Sequence, residues 1–588
     1  MPLKRKFLEE MDYLRRLRRV FTRDNPQLAR FLGEEANDPD VERLVEGLAF
    51  LTAKLRLKID DDLPELTHAM LQLLWPNYLR PLPSAAIIRF EPLPQAVTSK
   101  KRIAKGTEVG ARPVDGIRCR FRTCTDVDVF PFVIDEVSDA HTREKSILRI
   151  DLALPGTNAP STFGCDELEF HLSGSDQTAL TLYLWLAQYV GEIRMECGGT
   201  MRRLSTEQIV FPGFSPNEAL LPYPKNAFDG YRILQEYFIF HKRFQFFRLT
   251  GLQHLWPGEA VEHVRFELHF KRPMPPDIRV RTEDLALYCT PAVNLFEHDA
   301  EPISLDGTAV DQRVIPSGHR PDAYEIFSID QVSSTHNHEL GQHGNRQRTY
   351  QSFESLQHEI EHAHGHAALY YRTRIEPALE EEGVHHRIAF VRGDETAFVG
   401  KNETVSLSLT CTNRDLPLAL AAGDICVKTQ TTPDFATYRN LGEPTPSYRP
   451  VLDGQLQWRL ISNLSLNYLS LQSADPLKAV LAAYDFAALH DIRRARTTRK
   501  RLDAIGDAVT KPIDRLVHGL PVRGMKTVLR LDPGGFLCEG DMYLFGTVLS
   551  HFFSLYSSIN SFHLLEIVNT SNQERYTWSM RIGQQPLM

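Results

Sequence analysis

His358, Glu359 and His362 form the sharpest catalytic pattern in this 588-residue chain. Two histidines one helical turn apart can bind Zn²⁺, and the glutamate between them can activate a water on the metal. The extended form of this zinc-protease pattern adds a glycine and a third histidine. Gly365 is present, but Ala368 stands where that histidine is needed. The pattern therefore predicts a zinc hydrolase only if another side chain supplies the third ligand.

The surroundings of the pattern favour a polar surface insert over a packed metal site. Glu376, Glu380 and Glu381 could each be nominated as the third ligand, but any glutamate-rich segment offers as much. Further histidines crowd the region and lower the specificity of any one pair: His336, His338, His343, His364, His366 and His385. We therefore interpret residues 333–366 as a histidine-rich insert, expect no cofactor, and keep a zinc-dependent hydrolase as the alternative function.

Other catalytic signatures are absent from the sequence. Gly400-Lys401 is not a phosphate-binding loop, because Glu395 stands where the first glycine of that loop belongs. The eight cysteines are scattered without a Cys-x-x-Cys pair, which predicts buried reduced thiols and not a zinc ribbon or a disulfide framework. Asn413-Arg414-Asp415 is typical of a polar turn, with an interface anchor as the alternative.

Composition sets the broad class of the protein. The chain is 42% hydrophobic and 24% charged, with a formal net charge of −8. These values are typical of a globular protein and argue against general nucleic-acid binding, which requires a basic field. The sequence contains no apolar run long enough to cross a membrane and no secretory signal. We expect a cytoplasmic protein of two to four domains.

The first helix is predicted over residues 3–23. Its apolar residues recur at spacings of three and four and form one stripe: Leu3, Phe7, Met11, Leu14, Leu17 and Phe21. The other faces are rich in lysine and arginine, which could favour a membrane surface. Glu9, Glu10 and Asp12 interrupt that basic field. The pattern therefore favours packing in a bundle or against a partner protein.

Residues 38–83 predict two more helices and no chemistry. Asp38 is a natural N-cap, and Pro39 suits the first helical position. The first of the two helices places Leu44, Leu48 and other apolar residues on one stripe. The second follows Asp60-Asp61-Asp62, interpreted as capping and not as a calcium site, and it is expected to bury four side chains: Leu66, Met70, Leu73 and Leu74. This segment has strong helix signals but no nucleophile pair, glycine-rich loop or ligand cluster. We therefore interpret it as a surface that binds another protein.

From Ser84 onward the residue types alternate as they do in β-strands. Helices first, followed by many strands with few helices, predict an α+β fold: an N-terminal helical segment and then several mostly antiparallel, sandwich-like β-rich domains in an elongated chain. The aromatic run 237–247 is interpreted as core. A sugar-binding module, which would need exposed aromatic platforms, is the less favoured alternative.

The predicted domains follow from these shifts in pattern. They are a helical bundle or arm at 1–83, a β-rich segment at 84–140, a β-rich middle domain at 141–290, a β-rich domain with the insert at 291–430, and a C-terminal α+β domain at 431–588.

Six further segments, in order along the chain, carry a family resemblance together with residues 38–83. They are GYRILQEYFIF (230–240), DLALYCTPAVNLF (284–296), RPDAYEIFSIDQV (320–332), LTCTNRDLP (409–417), WRLISNLSLNYLSL (458–471) and EGDMYLFGTVLSHFFSLYSSINSF (539–562). The sequence resembles the type VI secretion baseplate subunit family TssF, also called VasA or ImpG, nearly end to end. Residues 103–130 more weakly resemble phage baseplate J-type proteins. The zinc pattern lies where the sequence departs from the family, between Phe353 and Tyr370-Tyr371.

The resemblance implies a structural role without catalysis or cofactor. Two TssF copies assemble with one TssG into a wedge core, which joins TssE and the adaptor TssK. The wedges surround the VgrG spike beneath the contractile sheath. By this resemblance the chain would be cytoplasmic, within a baseplate docked at the inner-membrane complex, and would touch the membrane only through that complex. Nucleic acid is not an expected partner.

The N-terminal helices are the expected interface. Two identical chains that meet one different partner cannot use equivalent contacts, and long helical arms can adopt two environments. The residues predicted to contact partners are Leu14, Leu17, Phe21, Leu44 and Leu48.

Overall fold

A computed structural model gives the fold of the chain. It describes residues 7–8, 10–11, 13–14, 39–60, 64–93, 96–155, 159–223, 231–305, 311–335, 347–353, 369–378, 383–392, 403–464, 473–517, 520–557 and 561–583.

The described α-helices concentrate at the two ends of the chain. They are α1 (Pro39–Asp60), α2 (Pro64–Leu74), α3 (Asp176–Leu184), α4 (Arg232–Phe240), α5 (Gly454–Leu464), α6 (Ala474–Tyr484), α7 (Phe486–His490), α8 (Ile492–Asp503) and α9 (Glu539–Tyr556). Residues 7–8, 10–11 and 13–14 are also helical. Pro39 and Pro64 open α1 and α2 because a first-turn residue needs no backbone N–H donor. The two helices predicted within residues 38–83 are confirmed as α1 and α2.

The strands fill the middle of the chain and return at its C-terminal end. They are β1 (Ala85–Pro92), β2 (Lys101–Ile103), β3 (Glu108–Val114), β4 (Ile117–Thr123), β5 (Val127–Val129), β6 (Val133–His141), β7 (Ser146–Ala153), β8 (Leu168–Leu172), β9 (Val190–Cys197), β10 (Thr200–Leu204), β11 (Ile209–Val210), β12 (Phe246–Leu249), β13 (His263–Phe270), β14 (Leu285–Leu287), β15 (Cys289–Val293), β16 (Phe296–Asp299), β17 (Ile303–Leu305), β18 (Asp311–Val314), β19 (Glu325–Thr335), β20 (Gln347–Ser352), β21 (Leu369–Pro377), β22 (Val384–Arg392), β23 (Glu403–Thr412), β24 (Ala436–Asn440), β25 (Ile505–Val517), β26 (Leu520–Leu531), β27 (Phe562–Asn569), β28 (Arg575–Thr577) and β29 (Arg581–Ile582).

These strands form several separate sheets. The orders are β24-β1-β15-β4-β3, β10-β9-β13-β7-β6, β11-β12-β8-β14, β16-β23-β19-β20-β21-β22-β18 with β17 beside β23, the pair β2-β5, and β25-β26-β27-β28 with β29 beside β27. Most neighbours are antiparallel, as in β13 on β7 and β9. The α+β class predicted from the sequence is confirmed.

One strand–helix–strand block is a parallel crossover. Strand β26 pairs in parallel with β27, and α9 lies between them in the chain. The local sequence does not specify this parallel pairing, because the same apolar strands could pair in either direction. The crossover places α9 against β27 and against α3 and α4.

The described residues fall into two compact units, Met1–Leu73 with Leu452–Leu464, and Leu74–Val451 with Ser465–Met588. In the smaller unit α5 joins the N-terminal helices. The Thr67 hydroxyl donates to Gln457 Oε1 at 2.9 Å, and Gln457 Nε2 lies 3.0 Å from His68 Nε2. Thr67 and Gln457 are buried, which makes this polar contact part of the interior of the smaller unit.

The core of the larger unit is strongly aromatic. Tyr231 stacks on Tyr484 with ring centroids 4.2 Å apart, and Trp75 meets Tyr231 edge-on at 6.2 Å. The aromatic run supplies buried side chains to this unit: Tyr237, Phe240, Phe244, Phe246 and Phe247. The interpretation of this run as core is confirmed, and these rings do not form the exposed platforms that a sugar-binding module would need.

Strand pairing joins distant parts of the chain within the larger unit. Strand β1 lies between β15, some two hundred residues later, and β24, further still. One sheet thus combines strands from the predicted segments 84–140 and 431–588 with β15, which crosses the predicted border between 290 and 291. The borders between the five predicted domains remain predictions. In the part of the chain that the structure describes, no helix is long and apolar enough to cross a membrane.

Gly540 marks a close approach of α9 to the backbone of α3. A Cβ built at Gly540 of α9 would lie 2.0 Å from the Leu180 carbonyl oxygen and 2.3 Å from its carbon. Because backbone cannot move aside like a flexible side chain, we expect Gly540→Ala to lower the free energy of unfolding by about 1–3 kcal/mol. Urea unfolding measures the change. Gly47→Ala in α1 is the control, since nothing lies within 4 Å of its Cβ position, and it should be neutral or stabilising. Equal unfolding midpoints for the two variants would contradict the prediction.

Candidate functional site

The zinc pattern lies outside the described residues. His358, Glu359 and His362 fall within 354–368, and Glu380 and Glu381 are likewise outside. Across the described ranges, no group of three or more histidine, cysteine, aspartate or glutamate side chains is placed to hold a metal ion. The zinc alternative therefore stays a prediction from sequence.

The third candidate glutamate already has partners. Glu376 lies on β21, and its carboxylate is 3.2 Å from Arg387 Nε and 3.9 Å from Arg374 Nη1. Two arginines oriented at one carboxylate stabilise an ion-pair network on the sheet. This arrangement supplies no reason to assign Glu376 to a metal.

The buried cysteines are poor nucleophiles. Burial raises the pKa of Cys119 to about 12 and the pKa of Cys197 to about 11. All eight cysteines are free, six of them are buried, and Cys426 is exposed. A raised pKa keeps the thiol protonated near neutral pH, and the thiolate is the reactive form. The buried cysteines are packing residues, as the sequence predicted.

The feature that stands out is an apolar stripe of α1 that faces outward. Leu44, Leu48 and Leu51 are 74%, 54% and 58% exposed, whereas Ala49 and Ala53 on the other side of the helix are fully buried. Spacings of four and three put the three leucines on one face. Full burial of a leucine side chain contributes about 1.5–3 kcal/mol. Because these three side chains stay largely in water, most of that stabilisation is still available to a binding partner. We call Leu44, Leu48 and Leu51 the leucine face.

Helix α2 repeats the arrangement and corrects one expectation. Leu66 and Leu74, predicted to be buried, are 47% and 39% exposed, and Met70 and Leu73 are only partly buried. Thr67 and Leu71 occupy the buried side instead. The prediction was wrong because a periodic apolar stripe indicates a face to be covered but not whether the same chain covers it.

The other predicted interface residues are only partly described. Leu14 is half-buried, and its helical neighbour Met11 is 5% exposed. Leu17 and Phe21 lie outside the described residues. Of the five residues predicted to contact partners, Leu44 and Leu48 are therefore the two that the structure places on an open apolar surface.

A buried ionic cluster in the larger unit was missed by sequence reasoning. Glu236 on α4 is fully buried, lies 3.4 Å from Arg232 Nη1, and is in direct contact with Arg243. Its Oε1 also accepts a hydrogen bond from the Leu220 backbone N–H at 2.9 Å. Arginine and glutamate four residues apart inside the apolar run 230–240 were the available signal.

Backbone carbonyls complete that cluster. Arg232 donates to the Phe214 carbonyl at 2.7 Å and Arg243 to the Gly213 carbonyl at 2.9 Å. Burial, followed by the nearby charge of Arg232, lowers the pKa of Arg243 to about 9, which still leaves the guanidinium charged at neutral pH. The cluster fixes the loop at 213–220 against α4, and we assign it no chemistry.

The Asn413-Arg414-Asp415 segment is a turn built into the core. The Asn413 N–H donates to Asn294 Oδ1 at 2.7 Å, and Asn294 Nδ2 donates to Asn413 Oδ1 at 2.9 Å. Both asparagines are fully buried, and Arg414 takes a left-handed φ of 51°. The polar-turn interpretation accounts for these contacts.

Glu325 gives a pH prediction. It is 4% exposed, and neither carboxylate oxygen has a hydrogen-bond partner among the described residues. Burial raises its pKa to about 7 from an ordinary value of 4.5, against the opposing charges of Arg414 and Arg449. Between these two values the folded state holds a proton that the unfolded state has lost. We therefore expect this group to make stability fall as pH rises through that window.

Thermal unfolding between pH 5 and pH 8 tests the Glu325 prediction against Glu325→Gln, which stays neutral throughout. We expect the unfolding temperature of the natural chain, relative to this variant, to fall as pH rises toward the pKa of about 7. Parallel curves for the two proteins would contradict it.

The comparisons with known proteins agree along the whole chain. The family model "Type VI secretion system, TssF" matches residues 2–585. The type VI secretion system component TssF1 of Pseudomonas aeruginosa is 30% identical, over 98% of this chain and 98% of that protein.

Solved structures give the same result. A chain of the TssK-TssF-TssG baseplate subcomplex of the type VI secretion system matches with a TM-score of 0.75 and 28% identity, covering 92% of this chain and 99% of that chain. A chain of the type VI secretion baseplate complex matches with a TM-score of 0.66 and 26% identity over 100% of both. The family resemblance seen in the sequence is confirmed, and this chain belongs to the TssF family of the type VI secretion system.

Proposed function

We propose that this chain is a structural, non-catalytic subunit of the type VI secretion baseplate that assembles with TssG and TssK. The observation that carries the proposal is the whole-chain match to a baseplate subcomplex whose name includes both partners. Because nearly the full length of both chains is covered, the likeness involves an entire subunit and not one shared module. The open apolar helix face also fits a structural role better than it fits a catalytic one.

The proposed assembly has a defined composition. Two copies of this chain bind one TssG, the resulting wedge core binds TssE and TssK, and the wedges surround the VgrG spike and support the sheath during assembly and contraction. The baseplate lies in the cytoplasm, docked at the inner-membrane complex, so contact with the membrane is indirect.

The leucine face is the proposed docking surface for the partner or for the second copy. Leu44, Leu48 and Leu51 are exposed on a helix whose opposite side is already packed. A partner helix with an apolar stripe of the same spacing would remove these side chains from water. Leu14, Leu17 and Phe21 on the first helix are proposed to extend this surface. Two copies around one partner would then use the same helices in two environments.

The proposed mechanism is mechanical. Many modest interfaces hold the baseplate in one geometry, and a change at the spike or at the membrane side shifts the population toward a geometry that releases sheath contraction. The chain contributes packed interfaces to both states.

The native mass of this chain co-expressed with its cognate TssG-like protein tests the proposal. We expect a discrete complex with two copies of this chain for each partner. A monomer that ignores the partner would overturn the proposal, and a discrete complex of another ratio would overturn its stoichiometry.

A further inference from the structure

One stretch of this acidic protein is strongly basic. Between residues 491 and 530 there are eleven lysines and arginines against four aspartates and no glutamate, in a chain whose net charge is −8. Six of those cations lie on α8: Arg493, Arg494, Arg496, Arg499, Lys500 and Arg501. A cationic segment in an acidic chain indicates that these charges bind something, either within the chain or on a partner.

Two of the six cations hold α8 in place. Arg501 pairs with Asp541 of α9 at 2.8 Å and lies over the Tyr237 ring. Arg494 lies over the Tyr448 ring, and its guanidinium is 3.5 Å from the Phe238 carbonyl oxygen. On the same side Thr498 is buried and donates to Asp485. These contacts account for the inward side of the helix.

The other four cations form one outward face. Arg493, Arg496, Arg499 and Lys500 are exposed. At 100° per residue they span about a third of the helix circumference. None of them forms an ion pair with any residue that the structure describes. We call these four residues the basic face.

The N-terminal half of the basic face, Arg493 and Arg496, is unfavourable for α8 by itself. The positive end of the helix dipole lies at the N-terminus, where cations are disfavoured. Arg493 and Arg496 lie at that end, and the first turn contains no acidic side chain. Cations of the basic face that are three or four residues apart along the helix also repel each other. Asp491, the N-cap, accepts a hydrogen bond from the Arg493 N–H and offsets only part of this. A negatively charged partner would relieve both effects.

Apolar side chains beside the basic face point to a protein partner. Ile492 is 74% exposed, and Leu489 at the end of α7 is 49% exposed. A phosphate backbone would satisfy the arginines but leave these two side chains in water. Rows of cations three and four residues apart match carboxylates with the same spacing on another helix. We propose that the basic face binds an acidic helix of a partner protein, with an apolar side chain of that helix packed on Ile492.

A designed helical peptide tests this inference with the full-length chain. The probe is a fluorescent peptide with glutamates along one face and a leucine beside them, followed by anisotropy at several salt concentrations. A scrambled peptide of the same composition has its glutamates distributed around the helix. It tests whether binding requires the glutamates to lie on one face. Short duplex DNA and vesicles containing phosphatidylglycerol test the other anionic surfaces.

Charge reversal on the basic face gives the decisive variant. We expect the facial peptide to bind at least about tenfold more tightly than the scrambled one, and Arg493→Glu with Arg496→Glu to weaken it at least about tenfold. This change favours the helix dipole, so the chain should fold, and circular dichroism verifies that. The matched control is Arg143→Glu with Lys145→Glu, which makes the same charge change on an exposed turn.

Several results would overturn the inference. They are equal binding of the facial and scrambled peptides, tighter binding of DNA or vesicles, and unchanged peptide binding by the reversed variant. The inference is independent of the proposed baseplate role, because the native mass of the complex with the TssG-like protein is measured separately.

Discussion

Replacing Glu236 by alanine is expected to lower the free energy of unfolding by about 3–5 kcal/mol. The carboxylate is fully buried and faces Arg232 and Arg243, whose side chains are each 1% exposed. Removing it leaves two guanidinium groups in a low-dielectric core with backbone carbonyls as their remaining named partners. The Leu220 N–H loses its acceptor at the same time. A buried charge without its counter-ion is among the most destabilising single changes in a protein.

Urea and thermal unfolding of the full chain measure this effect. The matched control is Glu283→Ala, since Glu283 pairs with Arg281 at 3.5 Å while both side chains are 75% exposed. An exposed pair contributes at most about 1 kcal/mol, so this control should unfold close to the natural chain. Glu236→Gln keeps an acceptor for the Leu220 N–H but not the charge. Its free energy of unfolding should lie between those of Glu236→Ala and the natural chain. A Glu236→Ala chain that unfolds with the control would show that the cluster contributes little.

Local features of the fold could be predicted from the sequence because local physics determines them. Pro39 and Pro64 open helices where a missing N–H donor has no consequence. The aromatic run around Tyr237 is core because so many large rings cannot all remain in water. Alternation along β7, buried at every second residue, gave a strand of one buried and one partly exposed face.

Pairings between distant segments could not be predicted in the same way. Helix α5 joins α2 through Thr67 and Gln457, which are 390 residues apart. Nothing in either local sequence specifies the other, since a buried threonine and glutamine need only some polar partner. The same holds for β24 on β1 and for the parallel pairing of β26 with β27. Such contacts depend on the whole chain.

The candidate interface shows a third kind of limit. Periodicity correctly placed Leu44 and Leu48 on one stripe, and the same rule placed Leu66 and Leu74 in a core where they are not found. The hydrophobic effect requires only that an apolar stripe be covered. Whether the cover is intramolecular or a partner depends on what the rest of the chain leaves open, which only the structure reveals.

Leu44→Asp combined with Leu48→Asp is expected to abolish assembly while leaving the isolated chain folded. Both side chains are already more than half exposed, so placing carboxylates there removes little from the chain's own packing. Surface changes of this kind usually alter the free energy of unfolding by no more than about 0.5 kcal/mol. In a complex that buries the leucine face, each change removes an anchor and introduces a desolvated charge, at a loss of about 2 kcal/mol or more of association.

The affinity for the co-expressed TssG-like protein, measured with purified components, decides this prediction. Leu418→Asp is the matched control, because Leu418 is 51% exposed and lies in the larger unit, away in sequence from α1. An unchanged affinity for the double variant would remove the leucine face from the interface. A loss confined to the double variant, with unfolding unchanged, would mean that α1 is stable as an open helix yet depends on a partner for its apolar side. That combination separates a docking helix from a core helix, because replacing a core leucine by aspartate would unfold the chain before any partner was added.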